Sequence, residues 1–496
     1  MRILYVDVDS LRPDHLGCYG YHRSTSPNID ALAAGGVRLE NCYASNAPCL
    51  PSRTALWSGR FGFRTGVAGH GGSAADPFVQ GTRRRFRDAF AATSWTSALR
   101  QAGYRTVTVS SFANRHAAWH WYAGYHEIYD PGHGGMDRAD QVAPIALEWL
   151  ARNGRADNWF LHVNFWDPHT PYRTPLDYGE PFAGERLPAW YDEALRRRLA
   201  EGYGPHSLRE PHGYPDEEAA APPYKRFPRV PEKLDSMEGV RRWIDGYDTG
   251  IRYVDDYVGR LLDALEDAGV LQETAVIVGA DHGENQGELN VWGDHQTADH
   301  VTCRVPLVVR WPGVAGQARV DDALHYQFDW AATAIELAGG EVPANWDGRS
   351  FAAAFRAGET AGRDYLVLSQ GAWACQRSVR FDDEGHAYLC MRTYHAGHKA
   401  LDEVMLFNLS QDPREERNLA AARPALVDRA MGHLAAWHHE MMVRGDTDVD
   451  PLLTVLREGG PEHTRGQLPR YLEHLRRSGR AHHAEELAQR YPQEAG

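Results

Sequence analysis

A chain of 496 residues with 43% hydrophobic, 24% charged and 11% aromatic residues has an ordinary globular composition, which excludes disordered, collagen-like and coiled-coil classes. Its 53 Lys+Arg against 67 Asp+Glu give a formal net charge of −14. That balance excludes a nucleic-acid partner held by a general basic field, but it leaves room for a small anionic substrate held by local positive charge.

In chain order, residues 3–9 (ILYVDVD) read as a buried strand with no secretory signal before it. Residues 27–36 (PNIDALAAGG) predict a short helix with a glycine stop. A helix over 94–103 leads into a strand at 106–109, and a helix over 143–153 into an apolar strand at 159–163. Apolar spacing predicts a helix over 251–268, then strands at 274–279 and 305–310. Helices alternating with short β-branched strands imply an α/β fold with a doubly wound, mostly parallel sheet.

Residues 174–238, rich in proline, glycine and charge, read as an insertion over one sheet edge with a short helix at 189–201. The expected organisation is a catalytic domain over 1–370, a smaller C-terminal α/β subdomain over 371–445, and a helical tail over 446–496. The subdomain carries strands near 378–381, 387–392 and 404–408 and a helix over 423–442. The tail reads as a solvated surface appendage, the alternative being a homo-oligomer contact. The run 83–87 (RRRFR) reads as a solvated basic face, the alternative being contact with a sulfated polymer. No apolar run approaches the roughly 18 residues of a membrane span. Six scattered cysteines match neither a disulfide scaffold nor a zinc pattern, and all but Cys49 read as buried small hydrophobes. The expectation is a cytoplasmic protein without a membrane partner.

In sheets of this kind, ligands collect at the carboxyl ends of the strands. Asp7 and Asp9 close the first strand, Asp281 and His282 follow 274–279, and Asp167 and His169 follow 159–163. Carboxylates and imidazoles from separate strand ends suit a divalent metal, calcium first, with magnesium or manganese as alternatives. Asp7 is either a ligand or a buried carboxylate satisfied by hydrogen bonds. In Cys49-Leu50-Pro51-Ser52-Arg53, Pro51 fits the first turn of a helix. Cys49 then stands at a helix N-terminus with Arg53 one turn along, which predicts an activated nucleophile beside an anion site. The alternative is a structural cysteine at a helix start.

These residues carry a recognisable pattern. Cys49-Leu50-Pro51-Ser52-Arg53 with Gly59 resembles the C-x-P-S-R signature of the type I sulfatases, of the alkaline phosphatase superfamily. Asp9-Ser10-Leu11-Arg12-Pro13 resembles that family's first metal motif, Thr25-Ser26-Pro27-Asn28-Ile29-Asp30 its T-P-N-I/L-D helix start, and Asp167-Pro168-His169-Thr170-Pro171-Tyr172 its H-x-P-Y segment. Asp281-His282-Gly283-Glu284 is similar to the second metal motif, and Leu406-Phe407-Asn408-Leu409 with Asp412-Pro413 and Asn418-Leu419 to the carboxyl-terminal stretch. The pieces occur in the family's order and span roughly residues 1–440.

The resemblance implies an alkaline-phosphatase-like fold and a sulfuric ester hydrolase. Cys49 becomes 3-oxoalanine (formylglycine), made by a formylglycine-generating maturation enzyme. Its hydrate attacks the sulfur of a sugar or aryl sulfate ester. The metal set is Asp9, residue 49, Asp281 and His282, with Asp7 able to replace the second carboxylate lost at Ser10. Arg53 steadies the nucleophile, and His169 contacts sulfate or assists proton transfer. Two family lysines are missing: after 99–106 the chain has Ser110-Ser111-Phe112-Ala113-Asn114-Arg115-His116, and Trp292-Gly293-Asp294-His295 follows the second metal motif. His295 is the replacement the sequence suggests, with His300 behind it and His70 a further substrate contact. The cluster Trp119-His120-Trp121-Tyr122 reads as pocket lining or as packing.

Only Lys225, Lys233 and Lys399 are lysine, so histidines and Arg53 are expected to supply positive charge. Activity is then expected to weaken toward alkaline pH. Two alternatives share these residues: a phosphonate monoester or phosphodiester hydrolase, and a non-enzymatic metal-binding protein with Cys49 unmodified.

Overall fold

The strand Arg2–Val8 is buried along its whole length and pairs in parallel with Trp159–Phe165 on one side and Thr274–Gly279 on the other. Its near-continuous apolar run suits a strand covered on both faces. The computed structural model describes residues 1–78, 81–82, 85–86, 89–215, 223–314, 318–444 and 449–495. Across the central sheet the order is Arg319–Tyr326, Val37–Tyr43, Arg304–Arg310, Thr274–Gly279, Arg2–Val8, Trp159–Phe165, Arg105–Val109 and Glu127–Tyr129. The strand Arg304–Arg310 runs antiparallel to both neighbours; the other pairings are parallel. The expected doubly wound, mostly parallel α/β sheet is therefore the fold that forms.

A second sheet contains Asn46–Ala47, Tyr365–Gln370, Cys375–Asp383, His386–His395 and Val404–Asn408. Asn46 and Ala47 pair in parallel with Ser369 and Gln370. The chain leaves that pairing directly into the helix Cys49–Ser58, so this helix stands at the junction of the two sheets.

The helix expected at 251–268 is Met237–Asp267. Gly239, Gly246 and Gly250 interrupt its apolar pattern, yet they are packing notches. A Cβ on Gly246 would lie 2.7 Å from Tyr172 Cδ2, and one on Gly250 2.9 Å from Pro168 Cβ. The helix thus presses against the segment carrying His169.

The tail is not a solvated appendage. Its helices Leu468–Arg477 and Ala481–Arg490 bury Leu468, Tyr471, Leu472, Leu475, Ala484 and Leu487 in a cluster with Tyr203, and Pro451–Arg457 buries Val455 against Ala74 and Cys375. Asp450 holds Arg377 through two contacts of 2.6 Å, and Glu494 lies 3.0 Å from both His395 Nε2 and His398 Nε2. Gly397 N–H donates to His395 Nδ1 at 3.1 Å, so the His395 proton sits on Nε2 and meets Glu494. This trio is a hydrogen-bonded clasp.

Cys42, Cys303, Cys375 and Cys390 are buried as expected, whereas Cys18 is only partly buried. Trp121 packs at 4.7 Å on Trp57 and 5.1 Å from Phe112, which is core packing, while Trp119 is 60% exposed. Arg83, Arg84 and Arg87 lie outside the described residues, and Arg85–Phe86 pairs with Gly81–Thr82. Among the described residues no helix is long and apolar enough to cross a membrane.

Candidate active site

All ten residues of the helix Cys49–Ser58 are buried. Cys49 occupies its first position, and Sγ lies 3.1 Å from His282 Nε2. Burial pushes the Cys49 thiol well up, and the charges of Asp9 and Asp281 add to this against Arg53. The helix terminus therefore does not activate the unmodified thiol: two nearby carboxylates and desolvation outweigh it.

Arg53 organises the carboxylates. Its Nε donates to Asp7 Oδ2 at 2.7 Å, and Nη1 to Asp9 Oδ2 at 2.9 Å and Asp281 Oδ2 at 2.6 Å. Burial opposes ionisation of Asp7 and Asp9, but Arg53 overrides it and holds both low. Asp281 goes the other way, raised by burial and by the repulsion of Asp9 and Asp7 against Arg53. Three buried carboxylates around one guanidinium leave two negative charges if all ionise, which a divalent cation balances.

The donor chemistry fits such a cation. Ligand atoms of Asp9, Cys49, Asp281 and His282 all lie within 4.8 Å of one another. His282 Nδ1 is 2.8 Å from Gly283 O, which can only accept, so the proton is on Nδ1 and Nε2 offers its lone pair to the cluster. Asp7 stands apart from this set. Its Oδ2 also meets His162 Nε2 at 3.3 Å, and its Oδ1 is buried without a partner. The geometry makes Asp7 the anchor of Arg53.

Imidazoles form the rest of the wall. His295 lies 4.1 Å from the His282 ring and 5.2 Å from the His169 ring, centre to centre. His169 Nε2 is 4.0 Å from Asp9 Oδ1, and its Nδ1 hydrogen-bonds Thr170 O, so Nε2 carries a lone pair. His70 and His116 rings are 4.9 Å apart, with ligand atoms of Cys49, His70 and His116 within 4.8 Å of one another. His70 Nε2, His116 Nε2, His295 Nδ1 and Arg53 Nη2 are buried without a protein partner. A concentration of orphaned polar atoms at one place points to a polar ligand.

Burial pushes His70, His116 and His169 well down, and His295 down to about 3. Burial thus favours the neutral ring at each, which runs against the expectation that they supply positive charge and lose it toward alkaline pH. His169 turns the lone pair of Nε2 to the site, while His70, His116 and His295 each keep one buried ring nitrogen without a protein partner.

The sequence-predicted Asp9, Cys49, Arg53, His70, His169, Asp281, His282 and His295 are brought together. His300 is not: its Nδ1 lies 3.0 Å from Tyr43 OH and its N–H faces Glu415. Asp167 instead accepts from Ala139 N at 3.0 Å, at the start of the helix Ala139–Asn153. Sequence reasoning missed His116, Arg115 and His463. The first two stand where a family motif was absent, which was the signal available. Arg115 lies over the Trp166 ring at 5.2 Å, and its charge acts on Cys49 and His169.

Comparison with known proteins agrees with this geometry. The family model "Sulfatase" matches residues 2–340, and "N-sulphoglucosamine sulphohydrolase, C-terminal" matches 287–431. The chain is 23% identical over 475 residues to an N-acetylglucosamine-6-O-sulfatase of Bacteroides thetaiotaomicron, covering 84% of this chain and 82% of that protein. A protein solved with its substrate D-glucosamine-2-N,6-O-disulfate superposes with TM-score 0.69 at 19% identity, over 90% of this chain and 99% of that one. The phosphonate monoester hydrolase of Agrobacterium radiobacter gives TM-score 0.67 at 20% identity, over 89% and 96%.

Proposed function

The chain belongs to the sulfatase family of the alkaline phosphatase superfamily, and we propose that its reaction uses Cys49 matured to formylglycine and a divalent cation held by Asp9, Asp281 and His282. It is a sulfuric ester hydrolase. The observation that carries the reading is the convergence of Cys49 with Asp9, Asp281 and His282 inside one 4.8 Å cluster. When bound, the two groups supply an attacking hydroxyl and a Lewis acid for the sulfate oxygens.

The chain's own residues do the rest. Arg53 fixes the spacing of Asp9 and Asp281 and keeps Nη2 for the anionic group. Gly283 O holds the His282 ring in the tautomer that presents Nε2. His169, with its lone pair on Nε2, suits acceptance of a proton better than donation to sulfate. His70, His116 and His295 each keep a buried, unpartnered ring nitrogen for the ester oxygens where the family lysines are missing. Hard carboxylate oxygens favour calcium, and the single imidazole favours manganese as the alternative.

Mass spectrometry of the Cys49 peptide from the native host, with metal analysis, tests this reading. An aldehyde at residue 49 and one divalent ion per chain are expected; an intact thiol in fully active enzyme overturns it. Rates on p-nitrophenyl sulfate and on a phenyl phosphonate ester decide the substrate, and a dominant phosphonate rate assigns the site to that chemistry instead.

A further inference from the structure

We propose that the C-terminal segment 449–495 is part of the active site, and that its His463 is a positioning residue that fixes the proton of His70 for an anionic substrate group. This rests on the reading of His70 as a substrate contact. The segment lies beyond both family matches, which end at 340 and 431.

The segment lies against the loop that carries His70. Glu458 accepts from Ser73 N at 3.1 and 3.3 Å, and a Cβ on Gly71 would lie 2.4 Å from Glu462 Cδ. His463 N–H donates to Ala372 O at 3.2 Å, and its ring stacks on Trp373 at 4.5 Å and 26°. So placed, His463 Nε2 lies 3.0 Å from His70 Nδ1.

Two imidazole nitrogens at that distance make one hydrogen bond, in which one donates and the other accepts. A neutral imidazole has a single N–H. If His463 donates, His70 accepts on Nδ1 and carries its own proton on Nε2. That Nε2 is buried and has no protein partner. Sulfate ester oxygens only accept, so this arrangement gives them a donor. The reverse arrangement turns a lone pair toward an anion. A partner that sets a histidine's tautomer acts through the ring it holds, as the outer partners of ligand histidines do.

Three variants test the proposal. H463F keeps a ring on Trp373 and removes the N–H; H463Q keeps an amide N–H of similar reach; H70A removes the ring acted upon. KM and kcat on p-nitrophenyl sulfate, Kd for inorganic sulfate by calorimetry, and Tm are measured. H463F is expected to raise KM and the sulfate Kd about tenfold with Tm little changed, and H463Q to recover most of the loss. In the H70A background H463F is expected to cost nothing further. Equal losses in H463F and H463Q, additive losses in the double variant, or unchanged KM and Kd overturn the proposal. If H463F does not fold, H463N, whose amide is too short to reach, replaces it with the same expectations. All values are ratios to wild type on whichever ester it hydrolyses. A wild type that prefers phosphonate therefore overturns the sulfate reading, while these ratios still decide the role of His463.

Discussion

Arg53 joins Asp7, Asp9 and Asp281, but only Asp9 and Asp281 fall in the candidate metal cluster with Cys49 and His282. Asp281→Asn is expected to lose the bound divalent ion, whereas Asp7→Asn keeps it and loosens Arg53. Elemental analysis of both purified variants checks this, and loss of metal from both would make Asp7 a ligand. The histidines bear on pH. His206 at about 4, His295 at about 3 and the strongly lowered His70, His116, His169 and His300 lie below an unfolded value near 6.5. Together they outnumber Glu284, raised to about 8, and Asp167 and Asp255, raised to about 6, so the unfolded chain binds more protons across that interval. Stability should therefore fall as pH drops below about 6.5, and Tm at pH 5 should lie below Tm at pH 7. The same neutrality predicts kcat/KM that does not decline from pH 7 to pH 9 through histidine deprotonation; a decline of tenfold on a histidine titration would restore the charged-imidazole view. At this scale the motif residues were legible because spacing places them on strand ends and one helix turn. Their protonation was not legible, because it depends on burial that only the tertiary fold creates.

The long helix Met237–Asp267 shows where local pattern misleads. Glycine lowers helix propensity by about 1 kcal/mol relative to alanine, so three glycines hide its first half from a periodicity reading. At Gly432, in the helix Pro424–Val443, a Cβ meets nothing within 4 Å, and Gly432→Ala should stabilise by about 0.5–1 kcal/mol. Gly250→Ala should do the opposite, because the methyl strikes Pro168 beside His169, lowering both Tm and kcat. Thermal melts and steady-state kinetics of the two variants check the contrast; a stabilised, fully active Gly250→Ala would remove the notch. The tail was misread for a related reason. Its charged helices carry narrow apolar stripes whose partner, Tyr203, comes from a distant stretch of chain.

At the scale of the molecule, the alternation of strands and helices made the central sheet legible, because each strand is a short apolar run between helix signals. The reversed strand Arg304–Arg310 was not, since direction is set by the connection and not by composition. A cation held as proposed would couple the site to the whole fold. Binding to the folded chain alone raises apparent stability with concentration. Chelation should therefore abolish turnover and lower Tm, with both restored by the added ion; an unchanged Tm in the chelated protein would mean the carboxylates are balanced by other means. The pairing of Asn46 and Ala47 with Ser369 and Gln370 has a consequence in time. Cys49 is 1% exposed in the finished fold, so an enzyme that must grip the surrounding chain cannot reach it there. The strand that closes over this corner is made hundreds of residues after Cys49, and synthesis at about 5–20 residues per second leaves an interval of tens of seconds. If Cys49 is matured as proposed, its oxidation would belong to the growing chain, and the yield of active protein would be set by a race between modification and the arrival of the second sheet.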